Sequence, residues 1–265
     1  MCDMSLLARQ RQELILEHVR ERGAVRVSDL AEEFGVSDMT VRRDLDVLAR
    51  RRLVDKVHGG ATAIGTAELA STEEPGFVVK SGRQQAEKEA IAAAAAELVA
   101  PGTAIGLSAG TTTAALARRL TEVAELTVVT NSMAVAEVFR TGRPDRTVIL
   151  TGGIRTPSEA LVGPVAVAAL RTLNLDVVFL GVHGITAASG FTTPNLMESE
   201  TDRALVEAGH RLVVVADSTK WGTAGISTIA QLSEADVLVT DTGLDPEARA
   251  VLDGEIDQLL LAEPP

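Results

Sequence analysis

The stretch VSDMTVRRDLDVLARRRLVDKVHGG, residues 36–60, decides the fold of the N-terminal part of the chain. Its apolar residues recur at i, i+4 and i+7, the spacing of the buried stripe of an amphipathic helix: Val41, Leu45 and Leu48. Ser37 precedes this helix and is placed to cap its N-terminus. After Leu53 two valines flank charged residues, and HGG supplies a turn. The stretch therefore predicts a capped helix followed by a small β-hairpin.

Two more helices are predicted upstream. The first carries apolar residues at helical spacing, namely Leu6, Leu7, Leu14, Ile15 and Val19. It ends before Gly23, a natural C-terminal stop. Ser28 is expected to cap a short second helix, DLAEEF, which Gly35 ends. The predicted order is helix, tight glycine turn, helix.

When the apolar stripe of the third helix points inward, a different set of residues points outward: Met39, Arg42, Arg43 and Asp46, with Thr40 at the edge. A helix with this surface, preceded by a short helix and a tight turn, fits the major groove of DNA. Arginine binds guanine edges or phosphates, and threonine can serve either purpose. The alternative is a solvated helix surface, because cations near a helix C-terminus also favour the helix dipole.

Charge is unevenly distributed along the chain. The 265 residues include 25 Lys and Arg against 37 Asp and Glu, a net charge of −12. Residues 1–60 balance to zero, so the whole acidic excess lies after Gly60. This asymmetry predicts two regions with different tasks, of which only the first suits a polyanion. Non-specific attraction to DNA should be weak, and binding should depend on placed side chains.

Composition also bounds the class of protein. Hydrophobic residues make up 46% of the chain, which is typical of a globular protein with a core. The single Cys, at position 2, excludes a disulfide framework and a cluster of soft metal ligands. The first ten residues hold no apolar run of signal-peptide length, and charged residues interrupt every window long enough to span a bilayer. We therefore expect a cytoplasmic protein with no membrane partner, no metal and no other cofactor.

From Gln84 onward, short apolar strands alternate with amphipathic helices. The strands are TAIGL, LTVVT, TVILT, DVVFL, RLVVVA, DVLVT and DQLLLA. Such alternation indicates a parallel sheet covered by helices on both faces. The fold class is therefore α/β, with a small N-terminal winged helix-turn-helix and a larger C-terminal parallel α/β sheet domain. We expect the DNA-binding domain at 1–61, a linker at 62–79 and the second domain at 80–265.

The stretch GLSAGTTTAALARRL, residues 106–120, places a glycine-containing loop between a strand and a helix. Backbone N–H groups at the start of such a helix, with threonine hydroxyls beside them, attract phosphate. Capping of the helix by Thr111 or Thr112 is the alternative. The sequence has neither a Walker lysine nor a GxGxxG motif, so nucleotide hydrolysis is not indicated.

Polar and glycine residues follow several other predicted strands. They are Thr130, Asn131, Gly152, Gly153, Gly181, Gly184, Asp217 and Lys220. In an open parallel sheet, ligands bind outside the carboxyl ends of the strands, where these residues should gather. Each of them is equally consistent with an ordinary turn, but their shared placement favours one site.

The N-terminal part resembles the winged helix-turn-helix of the DeoR family of bacterial transcription regulators. The likeness rests on RQELILEHVRERGAVRVSDLAEEFGVSDMTVRRDLDVLARRRLVDKVHGGA, including Ser37, Thr40, Arg42, Arg43, Asp44, Leu45 and the HGG of residues 58–60. It continues to about residue 260 and implies operator double-stranded DNA as a partner. The residues that the resemblance implies to bind DNA are Ser37, Met39, Thr40, Arg42, Arg43, Arg50, Arg51, Lys56, His58 and Gly59.

The effector domain of this family is similar in fold to ribose-phosphate isomerases and binds phosphorylated sugars or related intermediates. The resemblance implies a repressor of a carbohydrate catabolism operon, released or modulated by a phosphorylated sugar and acting as a homodimer or homotetramer. The residues implied to line the effector pocket are Lys80, Lys88, Gly110, Thr111, Thr112, Thr113, Asn131, Gly152, Gly153, Gly184, Asp217 and Lys220. The chain departs from the family in having Ser108 where an Asp is usual and Asp202 where a Lys is frequent. Both departures change the charge near the predicted pocket.

Two other functions are consistent with parts of the sequence. The first is a sugar-phosphate isomerase with an accessory DNA-binding head. The comparable loop reads GVHGI, residues 181–185, and lacks the paired carboxylates that move protons between sugar carbons. His183 is a candidate base only if the fold supplies a partner, so we expect binding rather than turnover. The second is a purely DNA-architectural or structural assembly protein whose larger domain serves only dimerisation.

Overall fold

The computed structural model describes residues 8–22, 24–50, 53–57, 60–62 and 77–264. Contacts divide the chain into two compact units, Met1–Ser71 and Thr72–Pro265, here called the head and the body. Most of the predicted linker, residues 63–76, lies outside the described residues. The predicted domain boundaries therefore stay a prediction.

The described part of the head contains three helices and a three-stranded antiparallel sheet. Its elements are α1 (Ala8–Arg22), β1 (Ala24–Arg26), α2 (Val27–Phe34), α3 (Asp38–Arg50), β2 (Asp55–Val57) and β3 (Gly60–Thr62). The strand order is β1-β3-β2, and β2 and β3 are the predicted hairpin. The prediction omits β1, because three residues are too few to show an alternating pattern. The winged helix-turn-helix is confirmed.

Residues of the predicted helical stripes form the core of the head, and two members of the first stripe, Leu6 and Leu7, lie outside the described residues. Buried apolar residues of α1, α2 and α3 pack in one cluster: Ile15, Val19, Leu30, Val41, Leu45 and Leu48. Gly35 connects α2 to α3 with a φ of +64°, a left-handed conformation that glycine adopts without a steric penalty. The prediction for Ser28 is wrong: the chain passes directly from β1 into α2 at the buried Val27, so Ser28 lies inside the helix rather than before it.

The body carries its helices and strands in alternation over most of its length. The helices are α4 (Phe77–Ser81), α5 (Gln85–Ala96), α6 (Thr111–Leu120), α7 (Met133–Gly142), α8 (Pro164–Leu170), α9 (Leu196–Glu207) and α10 (Pro246–Glu255). The strands are β4 (Ala104–Leu107), β5 (Thr127–Thr130), β6 (Thr147–Leu150), β7 (Ile154–Arg155), β8 (Leu161–Val162), β9 (Val177–Gly181), β10 (Gly184–Thr186), β11 (Gly190–Thr193), β12 (Leu212–Val215), β13 (Ser227–Ala230), β14 (Val237–Asp241) and β15 (Gln258–Ala262).

Seven of these strands form a parallel sheet in the order β15-β14-β12-β9-β4-β5-β6. Successive side chains of a strand face opposite sides. In β9, Val177 and Phe179 pack in one apolar cluster with α5, α6 and α7, whereas Val178 and Leu180 pack in a second cluster with α8, α9 and α10. Because both faces are covered, the strands have the continuous apolar sequences expected of a parallel sheet. The predicted α/β fold class is confirmed.

The order of the strands reverses at β4. The chain runs from β4 through β5 to β6 at one edge, and then returns to form β9 on the other side of β4. The segments that leave β4 and β9 therefore diverge, which opens a crevice outside the carboxyl ends of these two strands. Ser108 follows β4 directly, and Gly181 is the last residue of β9. These two residues mark the place where a ligand site is expected.

Two small antiparallel elements accompany the main sheet. One is the hairpin of β7 and β8, and the other is a three-stranded sheet in the order β10-β11-β13. Neither is in the prediction, because strands of two to four residues leave little periodicity in a sequence. They lie in the segments between β6 and α8, between β9 and α9 and, for β13, between β12 and β14, and each of these segments follows the carboxyl end of a strand of the main sheet.

Candidate functional site

The outward face of α3 presents the side chains predicted to read DNA. Arg42 and Arg43 are exposed, and Met39 is 60% exposed although its side chain is apolar. The hydroxyl oxygens of Ser37 and Thr40 lie 2.9 Å apart, and the backbone N–H of Thr40 donates to Ser37 Oγ at 3.3 Å. Ser37 therefore caps α3, as predicted. Two guanidinium groups remain available for phosphates or guanine edges.

The same helix turns Asp44 inward. Its carboxylate is buried against Arg11 and Gln12 of α1, so it stabilises the head instead of facing DNA. Among the other predicted contacts, Arg50 is the last residue of α3 and Lys56 is the middle residue of β2. Three more lie outside the described residues: Arg51, His58 and Gly59.

In the body, the helix that follows β4 begins without a side-chain cap. Gly110 is the residue before α6, and no described side chain accepts a hydrogen bond from the first backbone N–H groups of the helix. Thr113 donates its hydroxyl proton to the Gly110 carbonyl at 3.0 Å. Capping by Thr111 or Thr112 is thus not observed, since both lie inside the first turn. An uncapped helix N-terminus is suited to bind an anion.

Ser108 joins the carboxyl ends of β4 and β9 at the base of the crevice. Its side chain is fully buried, and its Oγ accepts a hydrogen bond from the Gly181 N–H at 2.9 Å. A Cβ at Gly181 would lie 3.5 Å from Thr113 Cγ2, so the last residue of β9 lies against the first turn of α6. The structure therefore brings the Ser108, Gly181 and Thr113 positions together, as their strand ends predict.

Asn131 lies at the end of the neighbouring strand, β5. Leu107 pairs with Thr130 across β4 and β5, which makes Ser108 and Asn131 neighbours at the same edge. Asn131 is only 1% exposed, and within the described part of the chain neither its Oδ1 nor its Nδ2 has a hydrogen-bond partner. A buried amide without partners costs free energy and therefore needs an explanation. A polar ligand in the crevice supplies one.

A cluster of cations lies near the end of β12. Lys88 of α5 is only 7% exposed, and its Nζ donates to the carbonyl oxygens of Lys80 at 2.8 Å and Arg83 at 2.6 Å. Burial lowers the pKa of Lys88, the carboxylate of Asp217 raises it, and the cations of Lys220, Lys80 and Arg83 lower it further. Three other cations and the carboxylate of Asp217 thus act on the charge of Lys88, and an added anion beside it would favour its charged form.

Arg83 is the member of this cluster that the sequence prediction omits. Its position between Lys80 and Lys88, in a segment with three cations within nine residues, is the signal that points to it. Asp217 is buried, and Ser218 next to it donates its backbone N–H to Asp241 Oδ2 at 2.6 Å. The loop after β12 is therefore tied to the end of β14, and Lys220 is held on a short 3-10 turn beside the cluster.

Three of the predicted glycines have a conformational or packing role. Gly152 and Gly153 have φ angles of +74° and +122°, and a Cβ at Gly153 would lie 2.5 Å from the Val162 carbonyl oxygen. A Cβ at Gly184 would lie 2.1 Å from the Thr223 carbonyl oxygen. Only glycine allows backbones to approach this closely. Their assignment to an effector pocket stays a prediction.

A buried carboxylate on α9 also escapes the sequence prediction. Glu198 accepts a hydrogen bond from Thr156 Oγ1 at 2.7 Å and another from the Ser158 hydroxyl. Asp202, one turn further along α9, is buried as well. The hydroxyl groups belong to the hairpin loop between β7 and β8, so Glu198 fastens this loop to the helix.

His183 lies between β9 and β10, in the loop that the isomerase alternative would use. This residue is buried, its backbone N–H donates to the Thr192 carbonyl, and residues 181–185 contain no carboxylate. In the described ranges, no group of three His, Cys, Asp or Glu residues is arranged to hold a metal. No helix among them is long and apolar enough to cross a membrane.

Both units match models of known protein families. The family model described as "DeoR-like helix-turn-helix domain" matches residues 11–67, and the one described as "DeoR C terminal sensor domain" matches residues 83–242. Together they cover most of the described chain.

Curated relatives match over nearly the full length. The HTH-type transcriptional regulator YgbI of Escherichia coli (strain K12) is 36% identical over 96% of this chain and 98% of its own. The regulator YulB of Bacillus subtilis (strain 168) is 35% identical over 94% of both chains. The Glycerol-3-phosphate regulon repressor of Escherichia coli (strain K12) is 30% identical over 88% of this chain and 90% of its own. Among solved structures, ribose 5-phosphate isomerase A of Methanocaldococcus jannaschii matches with 17% identity and a TM-score of 0.38, over 51% of this chain and 54% of that chain.

Proposed function

The chain belongs to the DeoR family of transcriptional regulators, and from this premise we propose that it represses an operon of carbohydrate catabolism in response to a phosphorylated sugar or a related phosphorylated intermediate. The head binds operator DNA, and the body binds the effector and changes the operator affinity. A relative that matches over most of its length is named for the glycerol-3-phosphate regulon, which supports a small phosphorylated metabolite as the effector class. Such a regulator works in the cytoplasm, the compartment that we propose for it.

The observation that carries the effector proposal is the Asn131 amide. It is buried, it has no hydrogen-bond partner among the described residues, and it lies one strand away from the uncapped N-terminus of α6. A phosphate suits the helix N-terminus, and an adjacent hydroxyl group suits the amide, which can donate and accept at once. A phosphorylated polyol or sugar carries both groups a few bonds apart.

The DNA proposal rests on the outward face of α3. Arg42 and Arg43 are exposed on the helix that follows the glycine turn, and Ser37 and Thr40 stiffen its first turn. In a helix-turn-helix, this is the helix that enters the major groove. One head reads only a half-site, so we propose that the protein binds as a homodimer or homotetramer. Light scattering with multi-angle detection tests this, and a strictly monomeric mass at working concentration contradicts it.

The experiment that tests the function uses DNA that the protein selects itself. The full-length protein is presented with a pool of random duplexes, and the affinity for the enriched duplex is measured by fluorescence anisotropy. Glycerol 3-phosphate, fructose 1-phosphate, fructose 6-phosphate and the parent unphosphorylated compounds are then added in turn. We expect one phosphorylated compound to change the DNA affinity by about tenfold, within the usual range of allosteric coupling, and its unphosphorylated parent to have no effect.

Two results contradict the proposal in different ways. Failure to enrich any duplex removes the operator-binding half of it. Enrichment of a duplex with no response to any phosphorylated compound, together with no thermal stabilisation by them, removes the effector half, because a ligand of the folded state must stabilise it. The latter result favours the assembly reading, in which the body serves only association.

The isomerase reading is not favoured. The relatives are named as regulators of transcription, and residues 181–185 supply no carboxylate to move a proton between sugar carbons. Incubation of the purified protein with ribose 5-phosphate, followed by chromatography of the products, is the direct check. Turnover that is lost in a His183→Ala variant establishes the enzyme reading.

A further inference from the structure

The segment that enters the body from the linker is held at two places. We define residues 77–83 as the strap, which comprises the short helix α4 and the turn that follows it. At its start, the Phe77 N–H donates to the Pro157 carbonyl at 3.3 Å, and the Phe77 ring packs on the apolar cluster under α5 and α6. At its end, Lys88 binds two carbonyl oxygens of the strap.

The geometry at Lys88 is unusual for a lysine. Its side chain is buried, and its ammonium group donates to the Lys80 oxygen at 2.8 Å and to the Arg83 oxygen at 2.6 Å. An ammonium group has three donors. Within the described part of the chain the third donor has no partner, so it remains for a ligand. Lys88 therefore connects the backbone of the strap to whatever binds beside it.

The junction between the strap and α5 is strained. Gln84 has a φ of +48° and a ψ of +45°, a left-handed backbone conformation that residues other than glycine and asparagine rarely adopt. Such a conformation persists only where surrounding contacts enforce it. The two carbonyls that Lys88 binds belong to Arg83, which immediately precedes the junction, and to Lys80, four residues before it. Loss of these hydrogen bonds should let the junction relax and release the strap.

Burial, and to a smaller extent the neighbouring cations, disfavour the charged form of Lys88 that holds the strap, whereas the carboxylate of Asp217 favours it. Lys80, Arg83 and Lys220 all lie close enough to disfavour the ammonium form of Lys88, and Asp217 is the one carboxylate among these interacting partners. An anion among these cations would replace repulsion by attraction and favour the charged Lys88 that holds the strap. Occupancy of the anion site and order in the strap should therefore rise together.

We propose that Lys88 is a positioning residue that links anion binding in the body to the order of the strap, the segment through which the chain leads to the head. The proposal rests on the proposed function in one respect, because it takes the anion to be an anionic group of the effector. The clamp itself stands on the two hydrogen bonds of Lys88 and is testable without any ligand. Anion binding tightens the strap, and the strap in turn increases the affinity for the anion by the same factor.

The test is hydrogen–deuterium exchange of the full-length protein, followed in peptides that cover residues 77–84. Without ligand, Lys88→Met should raise the exchange rate of these amides at least about tenfold, because two charge-assisted hydrogen bonds are lost. Methionine keeps the length and the apolar stem of the side chain. Lys220→Met is the matched variant, since it removes a cation of the same cluster but no hydrogen bond to the strap. Its strap should exchange no faster than that of the wild type without ligand, because Lys220 disfavours the charged form of Lys88.

The second part of the test uses inorganic phosphate and glycerol 3-phosphate as probes. In the wild type, saturating probe should slow exchange in the strap, whereas in Lys88→Met it should not. Strap exchange in Lys88→Met equal to the wild-type rate overturns the clamp. Fast exchange in β9 as well would show that Lys88→Met fails to fold. The wild type then tests the linkage alone: if a probe binds and exchange in the strap does not slow, the linkage is wrong.

The failure of the two proposals can be told apart. If neither probe binds the wild type but Lys88→Met still loosens the strap, the clamp holds and the effector class is wrong. If a probe binds and changes operator affinity equally in the wild type and in Lys88→Met, the effector proposal holds and the link through Lys88 is wrong.

Discussion

Arg11 Nε donates to Asp44 Oδ2 at 2.6 Å in the core of the head, across 33 residues of sequence, and both side chains are buried. Gln12 Nε2 binds the other carboxylate oxygen of Asp44 at 2.9 Å. The pair joins α1 to α3. Consecutive residues of α3 thus have opposite tasks: Arg42 and Arg43 face solvent, and Asp44 holds the helix that presents them.

Replacing Asp44 by Ala should destabilise the head by about 3–5 kcal/mol, because the Arg11 guanidinium would keep its burial but lose this carboxylate. Chemical denaturation followed by circular dichroism measures the change. Glu17→Ala, at an exposed position of α1, is the control and should change the free energy of unfolding by less than about 0.5 kcal/mol. Equal effects of the two substitutions contradict the structural role of the pair.

Replacing Arg43 by Ala should abolish measurable binding to the selected operator and leave the free energy of unfolding unchanged, since the side chain is exposed. A guanine contact is worth about 1–3 kcal/mol per head, and a dimer loses it twice. Arg171→Ala, an exposed arginine of the body, is the control.

The salt dependence then separates the two kinds of contact at Arg42 and Arg43. The slope of log K for DNA binding against log salt concentration is negative, and removing a phosphate contact makes it less steep by about 0.9. Removing a base contact instead lowers the discrimination between DNA sequences. Full operator affinity in Arg43→Ala would place the reading face elsewhere on the head.

Asn131→Ala should separate ligand binding from stability. Without ligand, we expect the free energy of unfolding to change by less than about 1 kcal/mol, because the amide has no partner to lose and its burial already carries a cost. With the effector at a hundred times its wild-type Kd, the wild type gains about 2.7 kcal/mol of stability, and the variant should gain much less.

Differential scanning fluorimetry with and without the effector gives both quantities for Asn131→Ala. Asn174→Ala, at an exposed position after α8, is the control and should keep the full ligand response. A large loss of stability in ligand-free Asn131→Ala, with an unchanged ligand response, shows that the amide has a structural task instead.

Gly184→Ala should destabilise the body by about 1–3 kcal/mol or more, because the added Cβ would lie 2.1 Å from the Thr223 carbonyl oxygen and the backbone would have to move. Gly254→Ala is the control, because no atom lies within 4 Å of the added Cβ and the residue lies in α10 without a left-handed φ. It should raise the free energy of unfolding by up to about 1 kcal/mol, since alanine favours a helix more than glycine does. Urea denaturation of both variants measures the difference, and a Gly184→Ala variant no less stable than Gly254→Ala would show that the loop at Thr223 yields freely.

Periodicity determined the architecture. The i, i+4, i+7 stripe of α3 buries Val41, Leu45 and Leu48 as the pattern predicts, and the apolar runs of residues 104–262 form a parallel sheet between two helical layers. These patterns are local, and the burial of a helix face or a strand is set by the residues within it. The ends of parallel strands meet at one edge whatever the details of packing, so Ser108, Asn131 and Gly181 are predictable neighbours.

Only the tertiary structure decided what those residues do. No local pattern distinguishes Asn131, whose buried amide lacks a described partner, from Ser132, which caps α7 by accepting from the Val135 N–H. No local pattern shows that Lys88 binds the carbonyls of Lys80 and Arg83. Nor does one show that the Thr223 carbonyl leaves no space for a Cβ at Gly184. Such contacts depend on the angle at which separate elements pack, and a shift of an ångström removes them. The sequence by itself determined which elements form and which edge they share, because burial is a property of each segment, whereas packing between segments assigned each side chain its partner.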